Sequence, residues 1–549
     1  MEIALDAEIP TYAGGLGVLA GDTLRTSADL ELPMVGVSLL SRMGYFRQTL
    51  DTDGTQGELP QPWSPEQWLV PLNAKIAVPI AERNVWVQAW LYILQGERER
   101  NIPVIFLDTD LTENHSEDRE ITHYLYGKDE KYRLTQEIIL GIGGARILNA
   151  LGFRIHKYHM NEGHSALLGL ELLRRYERDP DQVGPGDSVY DVSEVKRRCL
   201  FTTHTPVESG HDKFSYGLVQ ELLNDFMDLN ELRLLAGNEH LNMTRLALNL
   251  SGYVNGVAKL HAQVSNSMFP GYRVHAITNG VHPATWVAPA IAALYDTHFT
   301  DWRHDPEILV RADQLDDNEL WAAHLAAKQQ LVNTVLTLRN VELDLNTPIL
   351  GFARRMTGYK RPDMLFRDLN RLEKIAQRYP LQIVLAGKAH PNDQSGKRLV
   401  QKIHKYIEDL APSVRVVFLQ EYNTELARFL VSGSDVWVNT PLRPFEASGT
   451  SGMKAALNGV PNLSVLDGWW IEGCIEGITG WAVGDGSSPV DNGAELESLY
   501  EKLETIVLPM FYKDRPGWLE VMKGAIAKNG SYFNSHRMMR RYAAEAYFR

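Results

Sequence analysis

Between residues 347 and 457 the sequence alternates short apolar runs with amphipathic ones, and this alternation constrains the fold more than any other feature. TPILGFA (347–353), LQIVLAGKA (381–389), VRVVFLQEY (414–422) and SDVWVNTP (434–441) have the length and apolar content of buried strands. RPDMLFRDLNRLEKIAQRYP (361–380), QSGKRLVQKIHKYIEDLA (394–411) and NTELARFLVSG (423–433) lie between them with helical spacing, and PFEASGTSGMKAALNG (444–459) opens another helix. Strand and helix in strict succession predict a doubly wound parallel sheet. Such sheets gather their ligand contacts at the C-terminal ends of the strands.

The first half is less regular but also reads as α/β. NIPVIFLDTD (101–110), RIHKYHMNEGH (154–164) and KRRCLFTTHTP (196–206) are expected strands that end in polar residues, and EGHSALLGLELLRRYERD (162–179) is an expected helix. The Pro/Gly-rich stretches 179–188 and 484–493 read as surface loops. Turn chemistry in TNGVHPATW, around Asn279–Trp286, separates the halves, so two sheets facing one another across a cleft are expected.

A chain of 549 residues is too long for one core. Its net charge of −14 argues against nucleic acid or an anionic membrane as a partner. Two cysteines, Cys199 and Cys474, supply neither a disulfide framework nor a cysteine zinc site. MEIALDAEIP lacks the basic start and apolar run of a signal peptide, and a cytoplasmic location is expected. Against the acidic background, FARRMTGYKRPD (352–363) concentrates Arg354, Arg355, Lys360 and Arg361 directly after an apolar strand.

Several motifs admit two readings. AGGLGVLAGD (13–22) is either a glycine loop that meets a ligand or a tight turn opening a helix. His156, His159 and His164 are spaced by three and five residues, which does not suit one helix face; no metal is expected, and His164 reads as a polar contact in the cleft. In 444–459, Thr450 or Ser451 caps a helix that Asn458–Gly459 ends, leaving Lys454 exposed; alternatively, the amides of 449–452 hold a phosphate and Lys454 faces the same cleft as Arg354 and Lys360. The spacing is not that of a P-loop, because Met453 separates Gly452 from Lys454.

PTYAGGLGVLAGD, YRLTQE, MNEGHSALL, VNGVAKLH, ITNGVHPATW, RRMTGYKR, GKAHP and EASGTSGMK, in this order, resemble the α-glucan phosphorylases, closest to their short bacterial and archaeal branch. The resemblance implies the GT-B fold, two Rossmann-like domains: 1–285, then 286–520, with 521–549 a helical tail returning to the first. It implies pyridoxal 5′-phosphate (PLP) bound covalently by Lys454, with Arg354, Thr450, Ser451 and Gly15 around its phosphate and Tyr422 beside it. Arg355 and Lys360 would bind the substrate phosphate, and Asn279, Glu446, Ser448 and Gly449 the hydroxyls of the reacting glucose. Tyr359 and His164 would line the sugar site. An amine is what an aldehyde requires, and two phosphates brought together require several cations. The implied reaction is reversible, retaining phosphorolysis of an α-1,4-glucan or maltooligosaccharide by inorganic phosphate, giving α-glucose 1-phosphate.

Three departures from the family pattern accompany this resemblance. Met1 falls inside a family motif, so the N-terminal segment of relatives is expected to be missing, and allosteric control with it; a homo-oligomer remains compatible with the sequence. Gly252, in SGYVNGV, is taken to replace a histidine that approaches the glucose 6-hydroxyl, and that contact is expected to be lost or supplied elsewhere. YLYGKDEKYRL (124–134) matches the acceptor-side loop only at its end. The rival readings are a nucleotide-sugar glycosyltransferase of the same fold and a catalytically impaired glucan-binding homologue.

Overall fold

The computed structural model describes residues 1–98, 100–127, 129–179, 181, 183–184, 187–411, 413–487 and 490–548. Parts of the two expected surface loops, at 180, 182, 185–186 and 488–489, and Lys128 of the acceptor-side loop lie outside the described residues.

In the second half six parallel strands form one sheet, in the spatial order Arg415–Leu419, Gln382–Ala386, Ile349–Ala353, Val436–Asn439, Asn462–Val465, Gly480–Val483. In chain order this is 3-2-1-4-5-6, the doubly wound arrangement, with its switch point between Ile349–Ala353 and Val436–Asn439. Ile349–Ala353 is buried at every position, as a strand covered on both faces must be. The helices Leu369–Arg378, Gln394–Leu410 and Thr424–Gly433 each start on a side-chain cap, Asp368, Asp393 and Asn423, which accepts a first-turn N–H. The α-helix expected from 361 begins only at Leu369: Arg361 takes a left-handed backbone and buries its guanidinium on the Thr440 and Pro441 carbonyls, and 361–368 form turns with one short 3-10 helix at Met364–Phe366.

The first half holds a second parallel sheet, ordered His275–Ala276, Tyr253–Gly256, Cys199–Thr202, Tyr158–Asn161. The strand expected at 196–206 is shorter, since Lys196–Arg198 end the helix Val192–Arg198. The helix expected at 162–179 reduces to Leu168–Arg175 after one turn at Gly163–Ser165. A mixed sheet of Gly36–Leu39, Asn101–Asp108, Arg83–Gln95 and Val70–Ile80 flanks this half.

Two segments tie the halves together. The hairpin Arg47–Leu50/Gln56–Leu59 reaches the second sheet, where Gln48 and Gln56 donate to the Gly387 and Ala389 carbonyls at 3.0 and 2.9 Å. Residues 531–542 close onto 278–282: Val281 N–H donates to Phe533 O, and Ser535 N–H to Val281 O, at 3.1 and 2.9 Å. Arg537 caps the Thr278 and Asn279 carbonyls at 2.6 and 2.8 Å. Met538, Met539 and Tyr542 join Leu19, Leu200, Tyr253 and Ile277 in one apolar cluster.

Gly280 sits where these segments meet, and a β-carbon there would stand 2.0 Å from Asn534 O. Gly280→Ala is therefore expected to destabilise the fold by about 1–3 kcal/mol, or more if the backbone cannot yield, measured by thermal melting.

Candidate active site

The C-terminal ends of both parallel sheets open onto one cavity of about 1040 Å³. All fourteen residues that the resemblance assigns to the site line it: Gly15, His164, Asn279, Arg354, Arg355, Tyr359, Lys360, Tyr422, Glu446, Ser448, Gly449, Thr450, Ser451 and Lys454. The strand Ile349–Ala353 delivers Arg354 and Arg355, and the loop after Val436–Asn439 delivers 446–454. From the other sheet, Tyr158–Asn161 leads to His164 and His275–Ala276 to Asn279.

The loop before Lys454 is fixed by its neighbours. Glu446 N–H donates to Asp467 Oδ2, Trp469 N–H to Ser448 O, and Asn462 Nδ2 to Gly452 O, at 2.9, 2.9 and 3.0 Å. Gly449 has φ +82°, the left-handed region that favours glycine. Thr450 stands at the helix N-terminus but caps nothing, and the Ser451 hydroxyl accepts the Trp437 indole N–H at 3.1 Å, so helix capping does not account for these residues. Lys454 is buried, not exposed.

Arg354 and Lys360 converge on one carboxylate oxygen, Glu446 Oε2, with Lys360 Nζ at 2.5 Å. Burial acts to raise the Glu446 carboxyl, but these two cations outweigh it and hold it at about 2. Arg354 Nε and Nη1 are buried with no hydrogen-bond partner among the described residues. Nothing lies within 4 Å of where a β-carbon would stand on Gly14 or Gly15, at the start of the helix Gly15–Asp29. Unspent guanidinium donors and an open glycine turn at a helix N-terminus, lining one cavity, suit a phosphate. Ser448 Oγ and Asn279 Oδ1 are likewise buried without partners. Burial pushes the Lys454 amine down to about 8, against the pull of Asp22, and its Nζ lies 3.8 Å from the centroid of the Trp286 ring.

On the opposite wall, burial lowers His164 to about 4, and Arg133 donates to its Nδ1 at 2.9 Å and to Asp212 at 2.8 Å. Glu137, His164 and Asp212 have a metal-like grouping, but the Arg133 guanidinium fills it, with Nε 3.1 Å from Glu137. His159 does not join His164: its ring bonds Tyr547 and Thr202.

Gly252 packs against the Lys196 carbonyl and is not among the cavity-lining residues, whereas His204, after the strand Cys199–Thr202, is. Its ring meets Asn161 Oδ1 at 2.5 Å, and its N–H donates to Glu162. His204 follows a strand in the sequence just as Arg354 does, so the same strand-end rule would have found it. Tyr45, Tyr126, Arg133, Asp212, Lys388 and His390 also line the cavity without having been singled out.

A family model, carbohydrate phosphorylase, matches residues 207–477. The chain is 38% identical to maltodextrin phosphorylase of Thermococcus litoralis over its whole length and 70% of that protein. It is 35% identical to glycogen phosphorylases of Aquifex aeolicus and Mycobacterium tuberculosis, again over its whole length, covering 85% and 70% of theirs. The chain belongs to the carbohydrate phosphorylase family. As a phosphorylase it has the mixed α/β architecture with parallel sheets that the GT-B resemblance implies, and membership implies pyridoxal phosphate as the family's cofactor. Among the described residues no helix is long and apolar enough to cross a membrane.

The buried amine has a consequence for this phosphorylase without cofactor. Since Lys454 titrates at about 8 in the fold and at its ordinary 10.5 unfolded, the unfolded chain binds the extra proton between those values. Stability therefore rises with pH from about 8 to 10.5, and the full penalty applies below 8. Lys454→Met is expected to stabilise the cofactor-free protein near pH 7 by up to about 3 kcal/mol, the gain fading above pH 8, measured by thermal melting across pH.

Proposed function

We propose that this chain catalyses the reversible, retaining phosphorolysis of α-1,4-glucans or maltooligosaccharides by inorganic phosphate, releasing α-glucose 1-phosphate. The observation that carries the reading is one cavity lined both by a buried amine, Lys454, and by Arg354, two of whose guanidinium nitrogens have no partner among the described residues. These residues fit pyridoxal phosphate. Lys454 would take its aldehyde, while Arg354, Thr450, Ser451 and the turn at Gly15 would hold its phosphate, with Tyr422 alongside. Bound there, the cofactor supplies a phosphate that exchanges a proton with the substrate phosphate.

The remaining roles belong to this chain's side chains. Arg355 and Lys360 neutralise inorganic phosphate and keep it against the glycosidic bond. Glu446, Ser448, Gly449 and Asn279 orient the reacting glucose through its hydroxyls, and Tyr359 and His164 wall the sugar site. Positive charge fixed before the reaction stabilises the charge that separates as the glycosidic bond breaks, without reorganisation at that moment. His164, neutral at pH 7, offers a hydrogen bond without adding to the charge. The two sheets are proposed to belong to domains 1–285 and 286–520, with 521–549 packed back on the first.

Incubation with pyridoxal phosphate followed by borohydride is expected to leave a reduced adduct on Lys454, read by peptide mass spectrometry; an adduct only at other lysines contradicts the assignment. Glucose 1-phosphate should appear from a maltooligosaccharide ladder plus phosphate. Lys360→Ala should lower that rate by roughly 100-fold or more while the bound cofactor, read by absorbance, stays stoichiometric.

A further inference from the structure

Asp22 has no part in the assignments above. It lies on the helix Gly15–Asp29 and is 1% exposed. Its Oδ2 accepts the Trp286 indole N–H at 2.8 Å and the His282 backbone N–H at 3.2 Å. Oδ1 has no hydrogen-bond partner among the described residues, and Arg25 Nη1 stands 3.8 Å away. The Trp286 ring that Asp22 holds is the one whose centroid lies 3.8 Å from Lys454 Nζ. Asn458 fastens the other side, donating to the Trp286 and Lys454 carbonyls at 2.9 Å each.

The order is carboxylate, indole N–H, ring face, ammonium. A carboxylate accepting the N–H polarises the indole toward its face, and the face attracts a cation. We infer that Asp22 is a positioning residue for Lys454: through the Trp286 indole it seats the amine and sets the balance between ammonium and free amine on which reaction with an aldehyde depends. The inference rests on the reading of Lys454 as the attachment lysine.

Other charges around this link are already engaged. Arg354 pairs with Glu446. Asp29, on the same helix as Asp22, pairs with His282 at 2.7 Å and faces His536 at 3.5 Å. Burial pushes the Lys454 amine down, and Asp22 is the charge that acts against it.

Asp22→Asn removes the charge while a carboxamide oxygen can still accept from Trp286 and His282. The measurement is competitive acetylation of the cofactor-free protein by acetic anhydride across pH, read at the Lys454 peptide by mass spectrometry. The midpoint is expected to fall by about one pH unit relative to the unsubstituted protein, and Asp22→Glu to bring it back. A purely structural role would shift the melting temperature and leave the midpoint in place, and an unchanged midpoint overturns the inference. If Asp22→Asn does not fold, Trp286→Phe keeps a ring and deletes the N–H link; its midpoint should fall too, and an unchanged one is equally fatal. Acetic anhydride needs no cofactor, so this outcome is independent of the borohydride experiment that tests the attachment role itself.

Discussion

One carboxylate shared by two cations organises this site. Glu446 accepts both Arg354 and Lys360 on a single oxygen, and all three side chains are largely buried. Two buried cations against one anion leave an excess of positive charge at this point, and removing the carboxylate would leave both uncompensated, a loss on the order of 3–5 kcal/mol. The surrounding contacts hold that carboxylate in place: Asp467 grips the Glu446 amide, Trp469 the Ser448 carbonyl, and Gly449 turns the chain between them. That excess charge is what the proposed phosphate would complete.

This local excess sits inside a protein of net charge −14. At physiological salt, charges beyond about 8 Å are largely screened, so an anion approaching the cavity is governed by the groups lining it and not by the distant acidic surface. A neutral glucan feels neither. The acidic overall charge and the local group of Arg354, Arg355 and Lys360 therefore act at different ranges, and the local group is the one that bears on an anion in the cavity.

Much of this was legible in the sequence because doubly wound sheets place chemistry at strand ends. Arg354 follows ILGFA directly and His164 comes three residues after the strand Tyr158–Asn161, so a linear reading locates both. What the sequence did not disclose depends on long-range contacts. Arg361 breaks the expected helix because its guanidinium finds carbonyls some 80 residues away. Arg133 fills a grouping of Glu137, His164 and Asp212 that looks like a metal site until the fold brings a cation into it. Gly252, singled out from a short motif, does not line the cavity, whereas His204, past the end of the neighbouring strand, does.

The closure of 531–542 onto 278–282 bears on how the molecule is made. The carbonyl of Asn279 waits for a guanidinium 258 positions further along the chain. On a ribosome emitting roughly 5–20 residues per second, that partner arrives many seconds after the first sheet has emerged. The loop 278–282 is therefore among the last parts of the cleft to settle, well after the first sheet has emerged.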